Sequence, residues 1–162
     1  GIASYWLRPS PARAFLWGVA AGAGFALAEN LLNGAASGTD WVGLSAARIG
    51  TTAMHCMASG LTGWGWGQLW TQRRPLRLPA MYALSVMLHG LWNTAAIGMG
   101  FMSIAASAYE DSPWHTVAQV GQWTAVAIVV LIPILLLVAL PIIARKLSRR
   151  EQGGGWHGSP PT

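Results

Sequence analysis

LSAARIGTTAMHCMASGLTGWGWGQLW, residues Leu44–Trp70, is the stretch on which the fold class turns. It is longer than the roughly 20 apolar residues that cross a hydrocarbon core about 30 Å thick. Arg48 is its only charged residue, and His55 lies near its middle. The polar members Arg48, Thr52, His55, Ser59 and Thr62, followed by Trp66, recur at steps of three and four, the spacing of one helix face. An apolar helix with one polar stripe is what a membrane bundle needs where a helix turns inward.

Three further segments read the same way: Ala14–Ala28, Leu78–Met102 and Val120–Ala144. The first reaches spanning length once Glu29–Leu32 are added to it. Hydrophobic residues make up 53% of the 162-residue chain and charged residues 9%, where soluble domains average about a quarter charged. The mean hydropathy is +0.41. The expected fold is therefore all-α, a polytopic transmembrane helical bundle of about four spans. Residues 1–148 form the membrane domain and 149–162 a disordered tail rich in Gly, Pro and Ser.

Charge sets the expected topology. Arg8 and Arg13 precede the first span, Arg73, Arg74 and Arg77 separate the second from the third, and Arg145, Lys146, Arg149 and Arg150 follow the fourth. Asp40, Glu110 and Asp111 fall in the other two loops. This positive-inside pattern puts both termini in the cytoplasm. The pI of about 10.4 then reflects contact with anionic headgroups, and no nucleic-acid motif is present. A secretory signal peptide competes for the first segment, since Ala26-Leu27-Ala28 imitates a cleavage site. Apolar character resumes at Leu31–Leu32, which favours a span. Cys56 has no second cysteine to pair with and reads as a small packing residue. His115 and His157 fall in aqueous regions, and the Gly34–Asp40 and Ser103–His115 stretches are expected to be loops. Gly18-x-x-x-Gly22 and Gly63-x-Gly65-x-Gly67 are read as close helix packing, and most tryptophans, Trp6, Trp41, Trp64, Trp66 and Trp70 among them, as interfacial anchors.

Two other segments carry inward-facing polar residues. Tyr82, Ser85, His89 and Asn93 share one face of the third, and Gly22, Ala26, Glu29 and Asn33 one face of the first. The fourth has no ionisable residue and reads as scaffold. At about 1.5 Å per residue from the inner boundaries, Glu29 and His55 both come out about 22 Å high and His89 about 16 Å. An acid and two imidazoles on three spans are expected to meet in one polar chamber.

Those residues carry a resemblance. Phe25-Ala26-Leu27-Ala28-Glu29-Asn30 looks like the F-x-x-x-E-N motif of PrsW-type intramembrane proteases, a family within the superfamily of CAAX-processing and bacteriocin-processing enzymes. Arg48 with His55-x-x-x-Ser59-x-x-x-Gly63 resembles its histidine-bearing helix, and His89-Gly90-Leu91-Trp92-Asn93 its H-x-x-W-N signature. The resemblance covers roughly Ala14 to Met99. The family's E-E-x-x-K motif has no counterpart here, because Glu110-Asp111, the adjacent acidic pair, lies in the wrong loop. The expectation is a chain that begins after that helix and carries part of the site.

The resemblance implies a glutamic-type endopeptidase that cuts a membrane-anchored protein, such as an anti-sigma factor, in or near a bacterial plasma membrane. Glu29 would act as general base, with His55 and His89 orienting water or stabilising the oxyanion. Asn30, Arg48, Ser59, Trp92 and Asn93 would support them, Arg48 by holding Glu29 or another carboxylate. No cofactor is expected; the competing reading is zinc on Glu29, His55 and His89. Expected partners are membrane lipid and the protein substrate, not nucleic acid. The alternatives are a non-catalytic scaffold or chaperone for a membrane partner and, further off, haem b held by His55 and His89.

Overall fold

The computed structural model describes residues 8–36 and 41–153, with the side chains of 33–36 and 41–47 outside that description. The described residues form four helices: α1 Pro11–Ala36, α2 Trp41–Gln72, α3 Arg77–Ala108 and α4 Trp114–Gly153. All four expected helices are present, each longer than its apolar segment. Two of them, over Pro11–Leu32 and Trp114–Gly153, are long and apolar enough to cross a membrane. Helices α2 and α3 have the length but carry the polar stripes and fall short in apolarity.

The connection between α3 and α4 is shorter than the Ser103–His115 loop expected from the sequence. α3 runs on to Ala108 because Ile104, Ala105 and Ala106 continue a good helical sequence. Ser112 then turns the chain: its amide donates to Tyr109 O, and its hydroxyl accepts from the Trp114 amide. At the other end, residues 149–153 continue α4 rather than opening the tail. Glu151 accepts from Ser10 Oγ and from the Ala12 amide, both at 2.7 Å. Its carboxylate thus caps the positive end of α1 and joins the last helix to the first. Residues 37–40, Trp6, the side chain of Trp41 and the tail from 154, His157 included, lie outside the described residues.

Helix α2 is the centre of the bundle and packs against all three others, α1 most extensively. The α1–α2 seam is built from glycine. An added Cβ on Gly18 would stand 2.1 Å from Ser59 O, and one on Gly22 2.3 Å from His55 O. The glycine runs are therefore packing devices, as expected. Between α2 and α3 a hydroxyl ties the backbones: Ser85 Oγ, on α3, donates to Ala58 O at 2.8 Å and lies 3.3 Å from Thr62 Oγ1.

The exterior is apolar. Phe25, Leu31, Leu32, Ile97, Phe101, Leu131 and Leu135 are all exposed, while the buried set is largely small: Ala26, Ala53, Ala95, Ala118 and Ala125, with Phe15 and Met54 the largest fully buried side chains. A surface so continuously apolar suits lipid rather than water.

Candidate active site: a carboxylate and two imidazoles

The glycine seam brings the acid to the base. Gly22 lies against the His55 backbone, and Ala26, one turn on, is fully buried. Glu29 follows on the same face of α1. Its Oε2 lies 2.7 Å from His55 Nε2, a charge-assisted hydrogen bond in which the ring N–H donates when Nε2 carries the proton. The His55 side chain is 12% exposed and that of Glu29 38%, so the imidazole is enclosed while the carboxylate keeps an open side.

His89 completes the cluster from α3. Its ring centroid lies 5.0 Å from that of His55, with the planes tilted by 46°. Phe25, one turn before Glu29, packs edge-on against His55 at 4.8 Å. Two axial haem ligands would stand on opposite faces of a porphyrin with iron between them. These two rings touch each other directly, which leaves no room for that arrangement.

The supporting residues divide. Asn30 Nδ2 donates to Thr52 Oγ1 at 3.4 Å, one turn from His55, and so stitches α1 to α2 beside the pair. Ser59 lines a cavity one turn below His55. Arg48 does not hold Glu29, which is engaged by His55; its Nε and Nη2 are buried with no partner among the described residues. Asn93 is exposed, and it does not line the cavity that reaches His89.

Trp92 has a different duty from the one expected beside His89. It is 6% exposed, and its Nε1 donates to Val129 O on α4 at 3.3 Å. Val129 is four residues before Pro133, which has no N–H to return to that carbonyl. The indole therefore satisfies the acceptor that the proline leaves free, the kind of repair that allows proline inside an apolar-embedded helix. Trp92→Phe is expected to lower stability by about 1–2 kcal/mol through the lost bond, read as a lower melting temperature in detergent. An unchanged melting temperature would show that the bond contributes nothing.

A cavity of 670 Å³ runs from His89 along α2 between α1 and α3. Trp17, Ser59, Thr62, Tyr82 and Ser85 line it. α1 and α3 share no extensive contact, so the cavity forms a groove open at the side of the bundle.

The model of a family described as PrsW family intramembrane metalloprotease matches residues 6–138. That is most of the chain and includes the whole cluster. The chain belongs to the PrsW family. No curated protein matches it, and no solved structure does. Family membership and the two apolar helices together make it a membrane protein. The Glu29–His55–His89 cluster lies where helical spacing and rise, and then the PrsW-like motifs, place it; Phe25 belongs to the first of those motifs, and its contact with His55 has no signal in the sequence.

The PrsW description names a metal, and the donor chemistry of Glu29, His55 and His89 would suit zinc. As they stand, two of them hold each other rather than a common third atom. Ligand atoms of a tetrahedral zinc site at about 2.0–2.1 Å from the metal stand about 3.3–3.4 Å apart, whereas Glu29 Oε2 and His55 Nε2 are 2.7 Å apart and bonded to each other. Among the described residues no three His, Cys, Asp or Glu side chains are grouped to hold a metal ion.

Proposed function

We propose that this protein is a glutamic-type intramembrane endopeptidase that cleaves a membrane-anchored protein, an anti-sigma factor being the expected class, in or just outside a bacterial plasma membrane. The observation that carries the reading is the Glu29–His55 hydrogen bond with the His89 ring against it. All four helices span the bilayer in this reading, with both termini cytoplasmic, and the polar stripes of α2 and α3 turn inward.

Glu29 is the general base. His55 occupies Oε2, which leaves Oε1 and the carboxylate's open side for a water molecule. The water's oxygen attacks the scissile carbonyl as its proton passes to Glu29. A new C–O bond forms, and the carbonyl electrons move to the oxygen. A ring N–H of His89 stabilises that oxyanion. On collapse the C–N bond breaks, and the proton held by Glu29 goes to the departing amine. His55 fixes the carboxylate's orientation throughout. The lateral groove that ends at His89 supports entry of a substrate segment from the lipid side.

His89→Ala is expected to reduce the cleavage rate about 10²–10³-fold, the cost of losing one oxyanion donor, with little change in expression. Cleavage of a membrane-anchored substrate in cells and in vesicles measures it. Retention of the parent rate in His89→Ala would remove His89 from the mechanism. Substrate binding retained in a parent protein that cuts nothing would instead favour the scaffold reading.

A further inference from the structure

A second pocket lies at the opposite end of the bundle from the tip of α1, where α1 begins and α2 and α4 end. Its volume is 330 Å³, and Arg74, Arg77 and Arg150 line it together with Trp64, Gln68 and Glu151. Gln68 is 7% exposed, and its Oε1 is buried with no hydrogen-bond partner among the described residues. Trp64 Nε1 is likewise buried and without a partner among the described residues, and the Arg77 guanidinium lies 5.9 Å from the Trp64 ring centroid. A buried acceptor and a buried donor left unpaired are each costly, which favours an occupant that supplies partners for both.

Its electrostatics favour an anion. Three guanidiniums face one carboxylate, and Glu151 already receives two hydrogen bonds from the start of α1. All Lys and Arg residues of the chain except Arg48 lie at this end of the helices. Guanidiniums and an indole N–H are donors and match phosphate oxygens. The Gln68 oxygen needs a donor, which a hydroxyl beside the phosphate provides.

We propose that this pocket binds a phosphate group with an adjoining hydroxyl, the chemistry shared by a phosphoglycerol lipid headgroup and a soluble phosphate ester. The site is separate from the Glu29–His55–His89 cluster and does not depend on proteolysis. Occupancy clamps the start of α1 to the ends of α2 and α4.

The test uses the full chain in detergent and in nanodiscs. Phosphatidylglycerol, phosphatidylcholine and glycerol 3-phosphate serve as probes, with native mass spectrometry and melting temperature as readouts. The expected result is saturable retention of one phosphatidylglycerol per chain, with thermal protection that phosphatidylcholine does not give. Arg150→Gln and Gln68→Leu should each weaken that binding about tenfold or more. Arg145→Gln, an exposed change outside the pocket on the same helix, should leave it intact. Gln68→Leu removes an unpaired buried acceptor, so the unliganded protein should melt no lower than the parent while its affinity falls. Protection by glycerol 3-phosphate without anionic lipid would support the site and identify a soluble source; protection by the lipid alone would identify the headgroup. Equal retention of both lipids with no response to glycerol 3-phosphate would overturn the proposal. So would an equal effect of Arg145→Gln and Arg150→Gln, since diffuse surface charge would then account for the binding.

Discussion

Glu29→Gln is expected to abolish cleavage, with a rate at least about 10³-fold below the parent, within the range that loss of a general base produces. The substitution keeps the side chain's length and planar head. The amide oxygen still accepts from His55 Nε2, so the α1–α2 contact survives and the melting temperature should move little. What disappears is the ability to take a proton from water near neutral pH. The measurement is single-turnover cleavage in proteoliposomes, alongside the melting temperature of each protein. Cleavage within threefold of the parent by a stable Glu29→Gln protein would remove Glu29 as the base and the glutamic mechanism with it.

The second large effect is structural and falls at Gly22. A Cβ there would lie 2.3 Å from His55 O and 2.9 Å from Cys56 Cα, both backbone atoms that no rotamer change can move aside. Gly22→Val therefore has to push α1 away from α2. The expected loss is about 3 kcal/mol or more, at the upper end for overpacking, since the tight seam is what holds small-residue helix pairs together. The same displacement opens the Glu29–His55 bond seven residues on, so activity falls even where the protein still folds. Gly24 is the internal control, because nothing lies within 4 Å of an added Cβ there. Gly24→Ala should be neutral or stabilising by about 0.5–1 kcal/mol, the helix-propensity difference. Similar melting temperatures for Gly22→Val and Gly24→Ala would refute the seam.

Much of this architecture was legible in the chain because membrane-type segments state their period and length openly. The four helices follow from four apolar runs. The meeting of Glu29, His55 and His89 follows from helical spacing and rise. Helix ends were harder, since α3 and α4 continue into polar or small residues that still favour helix. Asn93 shows where spacing misleads. Each step of four residues advances about 40° around a helix, whereas seven residues fall back about 20°. From buried Ser85, Trp92 therefore stays on the inward face while Asn93 rotates outward. The Glu151 cap spans 139 residues to Ala12, and no local pattern announces it. It also lies in a stretch whose composition reads as tail. Arg48 is expected to hold Glu29 or another carboxylate; among the described residues its buried Nε and Nη2 meet none, since spacing fixes a face and not what the long side chain meets there.

The Trp92–Val129 bond carries one more implication. A carbonyl without an amide and an indole without another acceptor form a mutual dependency that either side can dissolve. Pro133→Ala restores an amide that can reclaim Val129 from within α4, and the indole then has nothing to rescue. In that background the same tryptophan change becomes nearly silent, so the two losses fall well short of adding. Helices α3 and α4 are thus fastened at a fault line in one of them, and mending the fault releases the fastening.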